Sequence, residues 1–313
     1  MPPAVARAEI EAALALVPGQ RARLTSCTPL AKGHGHQSFV LEIGSGPPVL
    51  LKIALRRGQL DRMRSLGQVL DLAARHGVPA PRLLHLCEDS PLFGARPWLV
   101  QEFLDGRDGE VAVLGMSAPE RRAFFRDFGA AVARLHAVDP GYFADDLAAG
   151  ARVETWSAAV GARVAHLVAR HAVAGMLRWR ELDTAAARLR AAIGAVSAVR
   201  RALVHRDLYL PNTLVTGNRF RCLLDFEHAR SADAVTDFVK LGMWVFEAIP
   251  DSGPAFCKGY GGDPLASDDG RRRHHIALGL ELLAGLLYWT ATGQRTMLGD
   301  YHQRFQEWLH APR

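Results

Sequence analysis

Residues 203–227 read LVHRDLYLPNTLVTGNRFRCLLDFE, a run of short apolar segments separated by polar residues. Three polar residues, Asp207, Asn212 and Asp225, stand out against an apolar background in which short strands are expected. Phosphoryl transfer from a nucleotide needs this set of groups, because one carboxylate orients the attacking hydroxyl while an amide and a second carboxylate hold Mg²⁺ on the phosphates. The alternative without chemistry is an Asx-rich hairpin that contains a buried aspartate.

The two segments that follow Asn212 are predicted to form a β-hairpin. Residues 213–215 and 220–224 have the pattern of short strands, and a Thr-Gly-Asn turn separates them. A hairpin at this place would bring Asp225 back beside Asn212. Because Mg²⁺ prefers oxygen ligands and keeps several of its waters, these two side chains would suffice to hold it.

The same residues resemble the catalytic centre of kinases. The string H-R-D at residues 205–207, with Asn212 behind it, resembles the catalytic loop H-x-D-x-x-x-x-N. The string D-F-E at residues 225–227 resembles the metal-binding D-F-G motif, with Glu in place of Gly. Followed by Asp233 and Asp237, the D-F-E form is similar to the aminoglycoside phosphotransferase and choline kinase family rather than to protein kinases.

The resemblance implies a role for each of these polar residues. Asp207 would orient and deprotonate the acceptor hydroxyl, while Asn212 and Asp225 would hold Mg²⁺ on ATP or GTP. Arg206 departs from the glycine that is usual in the antibiotic kinases, and we expect it to bond a nearby carboxylate. Tyr209 stands where serine/threonine kinases have a lysine, and no A-P-E motif follows. A protein kinase is therefore not favoured.

A glycine-rich turn near the N-terminus is the candidate phosphate-binding loop. It spans residues 32–37 between two predicted strands, and its glycines let backbone N–H groups approach a phosphate. A plain hairpin turn would use the same residues. The resemblance implies that the loop covers the ATP phosphates through Gly33 and Gly35, with the Ser38 hydroxyl as a further donor.

Lys52 lies in an apolar predicted strand that resembles the V-A-I-K strand of kinases, whose lysine contacts the α- and β-phosphates. In the family, the helix predicted over residues 60–76 usually offers a glutamate to this lysine, but the expected position holds Leu66. We therefore expect Lys52 to be loosely held without nucleotide. Asp61 or Gln68 would be its substitute partner.

Residues 101–106, Q-E-F-L-D-G, resemble the hinge that joins the two lobes of a kinase. The resemblance implies that backbone groups near Glu102 and Leu104 bond the edge of the adenine, with Gln101 beside them. After the hinge the chain becomes rich in alanine and in predicted helix.

The predicted fold is α+β and bilobal, of the protein-kinase-like kind. Residues 1–104 would form a nucleotide-binding lobe built on a small antiparallel sheet. Residues 105–313 would form a larger, mostly helical lobe that carries the catalytic and acceptor-binding residues. The chain has 49% hydrophobic and 22% charged residues, an ordinary globular composition with enough apolar material for a core.

Several classes of protein are disfavoured by composition. Four scattered cysteines without C-x-x-C spacing argue against zinc and against a disulfide framework. No signal sequence opens the chain, and the most apolar run, residues 276–289, is too short to span a bilayer. The net charge of +6 could suit nucleic acid, but the arginines are spread out and lack interleaved aromatic residues. We expect a cytoplasmic monomer or homodimer without nucleic acid or membrane partners.

The sequence favours an ATP- or GTP-dependent O-phosphotransferase that acts on a hydroxyl of a small molecule. An aminoglycoside or another antibiotic is the favoured acceptor, in resistance or self-protection. The alternatives are a metabolic kinase of the choline, homoserine or sugar type, or a non-catalytic nucleotide-binding module. A cationic aminoglycoside would need an acidic pocket, for which six carboxylates are candidates: Glu247, Asp251, Asp263, Asp268, Asp269 and Glu281. Three arginines, residues 271–273, lie beside several of them.

Overall fold

The computed structural model describes residues 5–19, 23–30, 35–44, 46–145, 147–148, 150–196 and 198–311. Its N-terminal part contains strands β1 (Leu24–Leu30), β2 (His36–Ile43), β3 (Val49–Ala54), β4 (Leu83–Cys87) and β5 (Trp98–Glu102). All five strands form one antiparallel sheet in the order β1-β2-β3-β5-β4. The helices of this part are α1 (Arg7–Ala15), α2 (Leu60–Arg75) and the short α3 (Leu92–Ala95).

The two faces of the five-stranded sheet are covered by different helices. Leu51 and Ile53 of β3 belong to the apolar cluster that contains Ile10 and Leu14 of α1. Because side chains alternate between faces along a strand, Lys52 lies on the opposite face, where α2 packs. The sheet therefore presents the predicted phosphate-binding lysine on the side of α2.

The C-terminal part is mostly helical. Its helices are α4 (Gly109–Leu114), α5 (Ala118–Ala137), α6 (Trp156–Ala174), α7 (Trp179–Gly194), α8 (Asp237–Leu241), α9 (Ser252–Tyr260), α10 (Asp268–Thr292) and α11 (Arg295–His310). Its strands are β6 (Arg107–Asp108), β7 (Ala202–Val204), β8 (Thr213–Thr216), β9 (Arg219–Leu223) and β10 (Arg230–Ala232). They form a three-stranded sheet in the order β6-β8-β9 and a β10-β7 pair. This architecture confirms the α+β, bilobal prediction.

Helix α10 contains a long apolar stretch. By length and composition alone it could cross a membrane, a test that the core helix of a water-soluble protein also passes. Its buried residues, among them Ile276, Leu282 and Leu286, pack in one cluster with residues of α6, α7 and α11. Helix α10 therefore occupies the core of the helical part and carries Glu281 to one side of the candidate active site.

Candidate active site

The loop that follows β7 is held by one buried carboxylate. Asp237 accepts hydrogen bonds from the backbone N–H of His205 at 2.7 Å and of Arg206 at 2.6 Å. His136 also contacts it, with 2.9 Å between Nε2 and Oδ2. Burial would raise the pKa of Asp237, but these bonds outweigh it and lower the pKa. Asp237 therefore remains an ionised anchor for the loop.

Asp207 lies in this loop between an amide and an ammonium group. The Nδ2 atom of Asn212 donates to the carbonyl oxygen and to Oδ2 of Asp207, both at 2.9 Å. The Nζ atom of Lys240 donates to Oδ1 at 2.7 Å. Burial would raise the pKa of Asp207, but the charge and hydrogen bond of Lys240 and the neighbouring histidines together outweigh burial, so the pKa lies below its ordinary value. Asp207 is therefore a carboxylate at neutral pH.

The predicted hairpin brings Asp225 next to Asn212. Strands β8 and β9 pair in antiparallel register, with Thr213 opposite Leu223. The backbone N–H of Leu224 donates to the carbonyl oxygen of Asn212 at 2.8 Å, which fixes the next residue, Asp225, at the same edge. The Asp225 side chain is 38% exposed and so remains open to a ligand. The hairpin prediction is confirmed.

Lys52 is held by two carboxylates, so the expectation of a loosely held lysine is wrong. Its Nζ atom lies 3.4 Å from Oδ1 of Asp225 and 3.6 Å from Oε1 of Glu227. Leu66, on the buried face of α2, is only 2% exposed and packs in the apolar core. The proposed substitute partners, Asp61 and Gln68, are both exposed instead. The helix position that usually offers a glutamate is thus an apolar core position here.

Glu227, which follows β9, offers Lys52 a carboxylate where the usual helix glutamate is missing. Three cations or potential cations of the N-terminal part surround its carboxylate: Lys52, Arg62 with Nη2 at 2.8 Å, and His36 through Nδ1. Burial would raise the pKa of Glu227, but these neighbours outweigh burial and lower it below its ordinary value. We call these four residues, His36, Lys52, Arg62 and Glu227, the inter-lobe cluster. It joins the sheet and α2 to the D-F-E turn of the helical part.

The candidate phosphate-binding loop is described in part. Gly33 lies outside the described residues. Gly35 lies so close to Glu227 that a Cβ atom at this position would clash with Oε2, so a larger residue here would require the Glu227 side chain to move. Ser38 lies in β2 directly opposite Lys52 of β3, and cross-strand partners project from the same face of a sheet. The structure thus brings Gly35 and Ser38 next to the lysine.

The predicted hinge residues lie at the end of β5. Gln101 is buried and pairs with Leu50 of β3. The backbone N–H of Glu102 donates to the carbonyl oxygen of Arg82 at 2.9 Å, and its carboxylate accepts from the Arg82 Nε at 2.6 Å. Leu104 follows in the irregular link between β5 and β6. Their role towards adenine stays a prediction.

A cleft of about 770 Å³ opens beside Asp207 on the helical part of the chain. Its volume lies in the range of about 300–1,000 Å³ that suits small-molecule ligands. Five aromatic side chains line it: Tyr209, Trp244, Tyr288, Trp289 and Tyr301. All of its lining residues lie between Glu110 and Tyr301, so the cleft belongs to the helical part alone.

Glu281 lines the cleft together with Arg206 and Lys240. Its Oε2 lies 3.3 Å from Nη2 of Arg206, and its Oε1 lies 3.8 Å from Nζ of Lys240. The expectation that Arg206 bonds a nearby carboxylate is thus confirmed. Arg206 also has a φ of 66°, the left-handed conformation that favours glycine. The bond to Glu281 and the backbone bond to Asp237 hold it there.

The other carboxylates that were candidates for an acidic pocket do not line the cleft. Of the six, Glu281 alone belongs to it. Three of the others are paired with arginines instead: Glu247 with Arg304, Asp268 with Arg271, and Asp269 with Arg273.

Comparison with known proteins now places the chain in a family. The model of the phosphotransferase enzyme family, APH, matches residues 26–275. The chain belongs to this family. Enzymes of this family transfer a phosphoryl group to a hydroxyl of a small molecule. The chain is such a phosphotransferase.

Solved structures similar to the phosphotransferase share its kinase-like fold at low identity. A thermostable mutant of the aminoglycoside phosphotransferase APH(4)-Ia, in a ternary complex with AMP-PNP and hygromycin B, is 14% identical with a TM-score of 0.72, covering 97% of this chain and 99% of that one. The macrolide 2′-phosphotransferase MphH from Brachybacterium faecium is 20% identical with a TM-score of 0.61, covering 98% and 99%. A comparison with curated protein sequences finds no match.

The residue that sequence reasoning missed in the phosphotransferase is Lys240, which contacts the predicted catalytic carboxylate. It lies in α8, and no motif marks it. A compositional signal could have found it, because only four of the 38 basic residues are lysines: Lys32, Lys52, Lys240 and Lys258. A lysine kept in such an arginine-rich chain is a candidate for a task that needs a compact ammonium group.

Proposed function

We propose that this phosphotransferase transfers the γ-phosphate of ATP or GTP to a hydroxyl group of a small molecule, with Mg²⁺ as the required cation. The observation that carries the proposal is the convergence of four side chains from distant parts of the sequence: Lys52, Asp207, Asn212 and Asp225. Phosphoryl transfer asks the protein mainly for positioning and for charge compensation, and this set supplies both.

The residues present fit a magnesium nucleotide. Asn212 uses its amide nitrogen on Asp207, so its amide oxygen is the atom available to a cation. The exposed carboxylate of Asp225 is a second hard oxygen ligand at the same edge. The described residues contain no cluster of three or more His, Cys, Asp or Glu suited to a metal, which agrees with a cation that is otherwise held by phosphates and waters. When bound, Mg²⁺ would neutralise charge on the phosphates.

In this proposal each charged residue has one task. Asp207, an ionised carboxylate, orients the acceptor hydroxyl and takes its proton. Lys240 fixes the position of that carboxylate through the bond to Oδ1. Lys52 binds the phosphates from the sheet side, with Gly35 and Ser38 beside it. The pair with Glu227 gives Lys52 a carboxylate partner although the helix position holds Leu66, which supports a catalytic role over a silent module.

We further propose that residues 1–104 bind the nucleotide, with Gly33 in the covering loop and Gln101, Glu102 and Leu104 at the adenine. Residues 105–313 would hold the acceptor. We keep the expectation of a cytoplasmic monomer or homodimer as part of the same proposal.

The acceptor would be an antibiotic or a related natural product, in resistance or self-protection. This is supported by the names of two similar structures, an aminoglycoside phosphotransferase with hygromycin B bound and a macrolide 2′-phosphotransferase. At sequence identities of 14% and 20%, the acceptors of these two enzymes do not predict the acceptor of this one, which depends on the residues of its own cleft.

The test is a transfer assay with γ-labelled ATP and GTP in magnesium buffer. The acceptor panel contains hygromycin B, gentamicin, erythromycin, choline and homoserine, together with the acidic sugar 4-nitrophenyl β-D-glucuronide. Asp207→Asn is the matched inactive control. Label transfer, or slow magnesium-dependent hydrolysis, by the wild type and not by the variant supports the proposal. Nucleotide binding without any turnover would favour the non-catalytic module instead.

A further inference from the structure

The cleft beside Asp207 contains more cationic than anionic side chains. Its carboxylates are those of Glu110, Asp207 and Glu281. Its cations are Arg163, Arg170, Arg206, Arg230 and Lys240. Burial lowers the pKa of His228, which also lines the cleft, so this imidazole is neutral at neutral pH and adds no further charge. The surplus is therefore carried by arginines.

Two of these cations already have partners next to the reacting centre. Arg206 pairs with Glu281, and Lys240 pairs with both Asp207 and Glu281. They adjoin the place where the transferred phosphoryl group would arrive, and compensation of its charge explains their presence. The remaining three arginines need a different explanation.

Two of the remaining arginines, Arg163 and Arg230, share a single carboxylate. Asp145, which is half-exposed, contacts Arg230 and lies 3.7 Å from Nη1 of Arg163. Arg170 is exposed and has no carboxylate partner within the described part of the chain. Burial, together with the nearby charge of Arg206, lowers the pKa of Arg163. The positive charge of Arg163 is therefore only weakly balanced by nearby carboxylates.

Arg163 and Arg170 also lie where one ligand could contact both. They are seven residues apart on α6, which places them on the same face of the helix, about 10 Å apart along its axis. The same cleft is lined by Trp244, Tyr288 and Trp289, here called the aromatic wall, which suit a flat or apolar body. A polycationic acceptor would face the two arginines with few acidic counterparts, because Asp207 and Glu281 are already ion-paired and Glu110 is the remaining carboxylate among the described lining residues.

We propose that the hydroxyl acceptor carries an anionic oxyacid group, a carboxylate or a phosphate or sulfate ester, that binds Arg163 and Arg170 while an apolar or aromatic body packs on the aromatic wall. Planar guanidinium groups suit such anions because they can donate two parallel hydrogen bonds. This inference rests on the proposed function and refines it. It makes an acidic natural product, rather than an aminoglycoside, the acceptor class of this enzyme.

The test uses three probes that differ at one sugar position only in charge or polarity. They are 4-nitrophenyl β-D-glucuronide, the matching β-D-glucoside, and the 6-amino-6-deoxy-β-D-glucoside, which carry at C6 a carboxylate, a hydroxymethyl group and an aminomethyl group that is cationic at neutral pH. Dissociation constants are measured by calorimetry with the full-length enzyme, with and without magnesium AMP-PNP. We expect the glucuronide to bind about tenfold or more tightly than the other two, since charge-assisted bonds to an oxyanion are the stronger ones.

Variants assign the preference to the two arginines. Arg163→Gln and Arg170→Gln should each weaken glucuronide binding about tenfold and leave glucoside binding unchanged. Arg122→Gln is the matched control, because Arg122 is exposed on α5 and does not line the cleft. Folding of each variant is checked by its thermal unfolding midpoint and by its affinity for magnesium AMP-PNP.

Two results would overturn the inference. One is that the glucuronide binds no more tightly than the glucoside and the amino sugar, absence of binding by all three included. The other is efficient phosphorylation of hygromycin B or gentamicin without any acidic acceptor, which would leave the proposed function standing. Failure of the wild type to bind magnesium AMP-PNP would refute the proposed function instead, and the probes would still report the charge preference of the cleft.

Discussion

The Nζ atom of Lys240 lies 2.7 Å from Oδ1 of Asp207, so the proposed catalytic carboxylate is already ion-paired before any substrate binds. The ammonium is itself buried, and although burial lowers its pKa, Glu281 and Asp207 raise it by more. The pair is therefore charged at neutral pH. It gives the carboxylate a fixed direction and lowers its pKa.

Replacing Asp207 should abolish transfer without affecting nucleotide affinity. Asp207→Asn removes the charge that orients the hydroxyl, and we expect kcat to fall by about 10²–10⁴-fold. The nucleotide would contact Asn212, Asp225 and Lys52, so calorimetry with magnesium AMP-PNP should give nearly the wild-type constant. Retention of most of the wild-type kcat would show that Asp207 has another role.

Replacing Lys240 should change the pH dependence of the reaction. In Lys240→Met burial is opposed only by the weaker remaining neighbours, so the pKa of Asp207 should rise from its lowered value. Because the ionised form is the active one, the acidic limb of the kcat/KM profile should move to higher pH. Lys258→Met, at an exposed position of α9, is the matched control and should keep the wild-type profile. An unshifted acidic limb in Lys240→Met would contradict the assignment.

Restoring the usual helix glutamate should destabilise this protein instead of improving it. Leu66 is 2% exposed, so Leu66→Glu would bury a carboxylate among apolar residues. We expect the free energy of unfolding to fall by about 3 kcal/mol, the scale of losses for large changes at core positions. Gln68→Glu, an exposed position of the same helix, should change it by less than about 0.5 kcal/mol. Urea unfolding of both variants measures the difference.

Removing the charge of Glu227 should loosen the inter-lobe cluster in a pH-dependent way. The pKa of Glu227 is lowered from 4.5, so its stabilisation is fully present above pH 4.5 and is lost as the pH falls towards the folded-state pKa. Glu227→Gln should therefore be less stable than the wild type at neutral pH. The difference in the free energy of unfolding between the two proteins should become smaller below pH 4.5. Glu247→Gln, which removes an exposed ion pair with Arg304, should have little effect at either pH.

Local sequence patterns were sufficient for the hairpin and for the residues that it carries. The strands flanking the Thr-Gly-Asn turn could be predicted because turn chemistry and apolar runs act over a few residues. The same holds for Lys52, whose strand is marked by its own apolar residues. The bilobal fold was predicted from the resemblance of these segments to the aminoglycoside phosphotransferase and choline kinase family.

Contacts between distant segments could not be predicted in the same way. Glu227 was visible as a departure from D-F-G, but nothing local shows that the turn packs against Arg62 and His36. The approach of α6 to the cleft likewise depends on helix packing in three dimensions, so the arrangement of Arg163 and Arg170 was hidden. The identity of the acceptor depends on those contacts, which is why the sequence left it open.

The inter-lobe cluster has a consequence for how a nucleotide enters. Lys52 and Arg62 neutralise the carboxylate of Glu227. A triphosphate that binds Lys52 would therefore compete with Glu227 for these cations, so that binding would exchange one anion for another. The net affinity for the nucleotide would then be the difference between two strong attractions.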